Sequence, residues 1–186
     1  TPLDSDTVML DIMQKQKLED YLDSSEFNAV INAAGVLIEQ SEKEKDVAVY
    51  MNAYLPHLLE KRYEGTKTKV VQLSTDCVFS GKNGPYKEDS RYDGELYYDR
   101  TKAIGEVFND KDLTFRMSTV GPEIQQDGVG LFNWFMKQEG QISGYTDAIW
   151  SGVTTLELAK GIGEAIKQDL KGLYHFVPAK SISKFD

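Results

Sequence analysis

Tyr98-Asp99-Arg100-Thr101-Lys102 sets a phenol and an ammonium four residues apart. On a helix, positions four apart share a face, so the two groups would point the same way. A free phenol has a pKa near ~10 and is a sluggish proton donor at neutral pH; a fixed cation beside it favours the phenolate and brings the group into working range. Tyr-x-x-x-Lys alone is common by chance, and its bland reading is a solvated surface pair. Context favours chemistry. Ser74-Thr75, closing the preceding apolar run, supplies a hydroxyl that could share a carbonyl oxygen with Tyr98.

These groups need elements to position them. Val8-Met9-Leu10 is a short apolar run closed by Asp11, and a helix is expected over 14–22. Ala29-Val30-Ile31 is a compact strand signal ending in Asn32-Ala33-Ala34-Gly35, small residues that admit another group close to the backbone. The spacing of Val47, Met51, Tyr54, Leu55, Leu58 and Leu59 predicts a long helix over 41–63, bent or broken at Pro56. On that pattern Met51, Tyr54 and Leu58 are core. Val70-Val71-Gln72-Leu73 is β-branched and short, hence a strand. A polar stretch over 80–95 reads as a long loop, a length that is usually functional.

A helix is expected from 97 or 98 to 108, then a strand over 113–117 and a Gly121-Pro122 break. Strands alternating with helices imply crossover units and a parallel sheet with helices on both faces. Chemistry gathers at the carboxyl ends of such strands, where Asn32 to Gly35, Ser74 to Val78 and Ser118 to Gly121 all fall. Beyond the break, a short helix is expected over 131–137. Thr154-Thr155-Leu156-Glu157 is a capping box opening a helix to about 168, with Leu158, Ile162, Ala165 and Ile166 inward. Gly172 stops it, and 173–177 reads as a strand.

In this order the chain resembles the extended short-chain dehydrogenase/reductases, and within them the dTDP-4-dehydrorhamnose reductase family. The likeness is carried by Leu10-Asp11-Ile12, by Val30 to Gly35 and by Met51-Asn52-Ala53-Tyr54-Leu55-Pro56-His57. It continues through Leu73-Ser74-Thr75-Asp76-Cys77-Val78-Phe79, Tyr98 to Lys102, and Phe115-Arg116-Met117-Ser118 with Gly121-Pro122. The fold it implies is α/β: a Rossmann-like doubly wound parallel sheet without its first strand and glycine-rich turn, plus a small C-terminal substrate lobe. Residues 1–122 would be the partial NAD(P)-binding domain and 123–186 the partial substrate lobe.

The resemblance implies a catalytic set of Thr75, Tyr98 and Lys102. Tyr98 would protonate the oxygen of a keto sugar as hydride arrives from NADP or NAD, and Thr75 would hydrogen-bond that oxygen. Lys102 would bind the nicotinamide ribose and depress the Tyr98 pKa. Asp11 would contact the adenine; Asn32, Ala33, Ala34 and Gly35 would lie along the adenosine half, with Ser74 also on the cofactor side. Asp76, Cys77, Val78, Ser118 and Trp150 would face the nucleotide-sugar substrate. Relatives admit Mg²⁺ and a homodimer, although no carboxylate cluster here argues for the metal.

Two departures stand out. No G-x-G-x-x-G occurs in the chain, so the expectation is of a fragment, truncated at both ends. Cys77 stands where such reductases often carry a tyrosine, which bears on the substrate more than on the reaction. Thr75-Asp76-Cys77 lacks the glutamate of a Thr-Asp-Glu dehydratase, whereas an epimerase or a non-catalytic dinucleotide-binding subunit stays open. Bland readings also stand: Asp76 as a backbone cap at its strand end, Cys77 as a small buried hydrophobe, Trp150 as core and Arg116 as a structural ion pair.

Composition narrows the classes. The 186 residues carry 21 Lys and Arg against 30 Asp and Glu, a net charge of −9, which argues against a phosphate-backbone binder and so against nucleic acid. No apolar run approaches the ~18 residues of a membrane span, and no secretory signal opens the chain. One cysteine and two histidines offer no zinc spacing. A cytoplasmic location is the expectation.

Overall fold

Val70 and Val71 are both wholly buried, and adjacent strand residues face opposite ways, so both faces of their sheet must be covered. The computed structural model describes residues 6–124, 128 and 130–186. Four parallel strands form the main sheet: β1 (Ala29–Asn32), β2 (Lys69–Thr75), β3 (Leu113–Met117) and β7 (Gly172–His175), in the order β1-β2-β3-β7. On one face Val70 packs with Leu18 and Leu22 of α1 (Lys15–Asp23) and with Leu55 and Leu59 of α4 (Leu55–Arg62). On the other face Val71, Leu113 and Phe115 pack with Leu158, Ile162 and Ala165 of α7 (Thr155–Lys167). The chain is therefore Rossmann-like and doubly wound, as expected.

The helix expected over 41–63 arrives in pieces. α2 (Ile38–Lys43) breaks at Glu44, α3 (Lys45–Ala48) runs into a π turn over Val49–Tyr54, and α4 follows. Pro56 has no N–H to give the carbonyl four residues back, and the turn ahead of it widens so that Leu55 N–H donates to the Tyr50 carbonyl. The altered register turns Asn52 fully inward, while Tyr54, expected in the core, is 41% exposed and accepts a hydrogen bond from Lys15 Nζ at 2.9 Å. α5 (Tyr97–Ile104) stops earlier than expected, at Gly105. A Cβ there would lie 1.9 Å from the Asn52 carbonyl oxygen, so the glycine lets the two backbones touch.

The expected capping of α7 is present: Thr154 Oγ1 accepts the Glu157 N–H at 3.1 Å. Val8 and Met9 are exposed and the run 8–10 pairs with no strand. The main sheet draws on both sides of residue 122, since α7 and β7 come from beyond it. What stands apart is smaller: β4 (Thr119–Val120) pairs with β6 (Val153–Thr154), β5 (Ile149–Trp150) with β8 (Ile182–Ser183), and α6 (Leu131–Met136) buries none of its residues. Residues 1–5, 125–127 and 129 of the two expected lobes lie outside the described residues.

Candidate active site

A cavity of about 680 Å³ opens where β1, β2 and β3 end. Ala33, Ala34 and Gly35 form one wall, Thr75, Asp76 and Cys77 a second, Tyr98 and Lys102 of α5 a third, with Met117 and Ser118 closing it. This is the carboxyl-end crevice that a parallel sheet leaves between strand ends. Asp99, one residue after the phenol, caps α5 by accepting the Leu96 N–H at 2.9 Å. Helical spacing then brings Tyr98 and Lys102 to the same wall.

The Tyr98 phenol and the Thr75 hydroxyl border the same cavity. That hydroxyl accepts the Cys77 N–H at 3.1 Å and donates to Asp76 Oδ1 at 3.3 Å. Lys102 is 6% exposed and donates from Nζ to the Leu73 carbonyl at 2.7 Å. Burial pushes the Lys102 ammonium down to about 8, with Glu106 partly opposing it. Burial likewise pushes the Tyr98 phenol up to about 12; the neighbouring Thr75 hydroxyl opposes this, while Cys77, Asp76 and Asp99 add to it. The expected depression of Tyr98 by Lys102 is not what the site gives: burial dominates, and the phenol's charged neighbours are acidic.

The cofactor-side residues separate into two groups. Ala33, Ala34 and Gly35 border the cavity. Asn32 is buried and positions them, giving Nδ2–H to Gln72 Oε1 at 2.7 Å and accepting the Ala34 N–H at 3.2 Å. A Cβ on Gly35 would stand 3.0 Å from Asn52 Oδ1 and 3.9 Å from Lys102 Nζ. That narrow cradle beside a buried ammonium suits a ribose or a similar polyol. Ser74 borders the cavity, but its hydroxyl is tied inward to Glu106 Oε1 at 2.6 Å. Asp11 is exposed, lies outside this cavity, and accepts from Met13 N–H and Gln14 Nε2 ahead of α1.

On the substrate side, Asp76, Cys77 and Ser118 border the cavity. Val78 does not: its side chain is 0% exposed, because the 3₁₀ turn Asp76–Val78 folds it into the core. Only its backbone faces the loop, taking the Asp93 and Gly94 N–H groups at 3.3 and 3.0 Å. Trp150 lies behind the wall and donates Nε1–H to Ser118 Oγ at 2.8 Å, thereby orienting a cavity residue. A second cavity of about 590 Å³ lies against the first, with Asp76 and Cys77 common to both; Phe79, Tyr86, Arg116 and His175 line its far side. Burial raises both the Asp76 carboxyl and the Cys77 thiol, which makes the thiol a poor nucleophile. No group of three or more metal-binding side chains occurs among the described residues.

Two supporting residues escaped the sequence reading. Asn52 Oδ1 accepts the Val36 N–H at 2.9 Å while Nδ2 donates to the Val36 carbonyl at 3.1 Å and to Thr101 Oγ1 at 3.3 Å, joining the Gly35 turn to α5. Glu106, four residues after Lys102, binds Ser74, Tyr92 and Arg116. An asparagine inside an apolar helical face and a glutamate at i+4 from the lysine were the available signals. Arg116 makes the structural pair expected of it, with Nη2 at 2.8 Å from Glu106 Oε2.

A parallel sheet with this crevice and a Thr, Tyr and Lys around it defines a Rossmann-like protein of the extended short-chain dehydrogenase/reductase type. Residues 2–186 match the family model described as RmlD substrate binding domain, and the chain belongs to that family. It is 28% identical over 192 residues to a dTDP-4-dehydrorhamnose reductase of Aggregatibacter actinomycetemcomitans, covering 95% of this chain and 64% of that protein. Among solved structures it resembles a dTDP-4-dehydrorhamnose reductase from Bacillus anthracis, in complex with NADP, with TM-score 0.81 and 26% identity over 94% of this chain and 64% of that one. A hypothetical dTDP-4-dehydrorhamnose reductase from Sulfolobus tokodaii superposes with TM-score 0.84 and 26% identity, covering 98% of this chain and 68% of that one. The chain thus spans about two thirds of its relatives' length.

Proposed function

We propose that this chain carries the proton-transfer half of an NADPH-dependent reductase acting on a nucleotide-linked 4-keto sugar, dTDP-4-dehydrorhamnose being the first substrate to try. The observation that carries the reading is one cavity bordered together by the Tyr98 phenol, the Thr75 hydroxyl and the Lys102 ammonium. The NADP complex of the Bacillus anthracis relative supports the choice of cofactor, as does the Gly35 cradle beside Lys102. Bound there, a reduced nicotinamide would supply hydride to the carbonyl carbon.

The chain's own residues handle the oxygen. A phenol held near 12 keeps its proton throughout the physiological range, so Tyr98 acts as an acid that releases a proton only as negative charge develops on the sugar oxygen. Thr75 donates a second hydrogen bond to that oxygen, a fixed dipole that needs no reorganisation. Lys102, largely charged at neutral pH, stabilises the phenolate left behind and holds the ribose hydroxyls. Substrate-side contacts fall to Asp76, Cys77 and Ser118, with Trp150 orienting Ser118. The charge balance and lone cysteine favour a cytoplasmic setting.

In the intact protein, loss of NADPH absorbance on adding dTDP-4-dehydrorhamnose should be rapid. It should fall roughly 10²- to 10⁴-fold in Tyr98→Phe, the usual share of one general acid. Undiminished turnover in that variant would remove Tyr98 as the acid. A cofactor returned unchanged after each turnover would instead mark an epimerase.

A further inference from the structure

Taking Tyr98 on α5 as the acid, we propose that His57 is a positioning residue for that helix: a doubly protonated imidazole that clamps the C-terminal end of α5 to α4 and releases it when the ring loses a proton. Its Nε2 lies 2.7 Å from the Ile104 carbonyl oxygen and its Nδ1 2.8 Å from Glu60 Oε2. A carbonyl and a carboxylate only accept, so both ring nitrogens must donate, and a ring with two N–H groups is the cation. A neutral ring keeps one of the two bonds and turns a lone pair toward the other oxygen.

The clamp sits where α5 needs it. Tyr97–Ile104 is eight residues long, and the last carbonyls of a helix have no partner within it. At the N-terminal end, Asp99 accepts the Leu96 N–H at 2.9 Å and Glu42 Oε1 accepts the Tyr97 N–H at 2.6 Å. At the other end the Ile104 side chain is 64% exposed, so beyond the Gly105 contact with Asn52 it is the Ile104 carbonyl, not its side chain, that fastens the last turn. Lys102 precedes that carbonyl by two residues and Tyr98 by six. A loosened last turn therefore bears on the ammonium first, and small misplacements of this kind slow chemistry even where binding persists.

The charges nearby leave one partner for the ring. Glu60 bears on it, and Asn109, from the turn behind α5, donates Nδ2–H to the other Glu60 oxygen at 2.8 Å and so holds the carboxylate in place. The remaining titratable groups have other partners: Lys61 pairs with Glu64 on α4, Arg100 bears on Glu95 and Asp99, Lys102 turns to Leu73 and Glu106 to Arg116. Burial alone would lower the His57 pKa, but the bonds to Glu60 and to the Ile104 carbonyl, with the Glu60 charge, together raise it above 6.5. A cation is also favoured at the C-terminal end of a helix. With the folded value above the unfolded one, the clamp is complete below 6.5 and is lost as pH rises through the folded value.

The chain has two histidines, so imidazole resonances assigned by their loss in His57→Gln follow the ring directly, against His175, whose pKa burial lowers. In the intact protein His57 should titrate above 6.5. The Gly105 amide, bonded to the Thr101 carbonyl at 3.1 Å, should lose protection along the same curve, beyond the ordinary base-catalysed rise in exchange. In His57→Arg, a permanent cation with several donors, that loss should vanish. With NADPH and dTDP-4-dehydrorhamnose, wild-type kcat should fall about threefold or more between about pH 6 and 7.5 with KM within about twofold, stay nearly level in His57→Arg, and sit at the low value throughout in His57→Gln. A His57 ring that titrates at or below its ordinary value, Gly105 protection that ignores that titration, or kcat profiles alike in wild type and His57→Gln would each overturn the clamp. Absence of turnover in the wild type would overturn the reductase reading alone, and the titration and exchange would then decide the clamp.

Discussion

Lys102 is buried with one hydrogen bond to a carbonyl and an ammonium pushed down to about 8. Its ordinary value is 10.5, so folding weakens its hold on a proton, and below that ordinary value the unfolded chain binds more protons than the folded one. Stability contributed by this group therefore rises as pH climbs from about 8 to 10.5 and is at its lowest below 8. Lys102→Met should accordingly stabilise the protein at neutral pH by roughly 1 to 3 kcal/mol, read from urea denaturation midpoints, while abolishing turnover. The Leu73 carbonyl keeps the Gln72 Nε2 donor at 3.1 Å in that variant. Activity of the unaltered protein should decline as pH passes about 8, since the charge that holds ribose and phenolate is then lost. Tyr98 and Lys102 were legible as a pair because their spacing is local, and Thr75 through the likeness to the reductase family. The direction of the Tyr98 shift was not, because it depends on how deeply the phenol sits and on which carboxylates surround it.

At the scale of elements, the π turn and α5 meet through Asn52 and Gly105. Asn52→Ala would leave the buried Val36 N–H without its partner, while the Val36 carbonyl keeps the Ser41 hydroxyl at 3.2 Å. A loss of about 1 to 3 kcal/mol is expected from such a stranded donor, measurable by chemical denaturation. Gly105→Ala would press a Cβ against the Asn52 carbonyl oxygen, and overpacking of that kind costs about 1 to 3 kcal/mol. If the two sites act on one joint, the double variant should lose less than the sum of the singles. The sequence predicted a helix here and a disturbance at Pro56; it did not announce a π turn, because the widening depends on what packs against the helix. Val78 was misplaced for a related reason. A run of strand residues followed by a 3₁₀ turn changes the side-chain alternation, and the residue expected at the cavity goes to the core.

Across the whole molecule, one buried cation ties the loop over 80–95 to the sheet, beside the bond that Glu88 Oε1 accepts from the His175 N–H of β7 at 3.0 Å. Arg116 donates to the Glu88 carbonyl at 2.9 Å and to the Tyr92 hydroxyl at 2.9 Å, besides its pair with Glu106. Arg116→Leu would strand the Glu106 carboxylate and should cost about 3 to 5 kcal/mol. Amide exchange should quicken across the loop before it does in β2. Replacing Arg116 and Glu106 together by leucine should cost less than Arg116→Leu alone. His175 faces the same guanidinium, Nε2 to Nη1 at 3.2 Å, and burial lowers its pKa below 6.5. A histidine buried neutral gives stability that is present above 6.5 and lost as pH falls below it, so the thermal midpoint should drop on acidification and do so less in His175→Gln.

By itself the sequence determined the alternation of strands and helices, the crevice at the strand ends and the Thr, Tyr and Lys that border it. The alternation and the crevice follow from short-range periodicity and from the small set of ways a parallel sheet can be wound, and the Thr, Tyr and Lys set from the likeness to the reductase family. Only the tertiary structure decided that Ser74 turns to Glu106, that Lys102 rests on Leu73 and that Asp76 joins two cavities. Such choices depend on neighbours far along the chain, 32 positions for Ser74 with Glu106 and 29 for Lys102 with Leu73, whose distance and burial set the local electrostatics, and no local spacing encodes them.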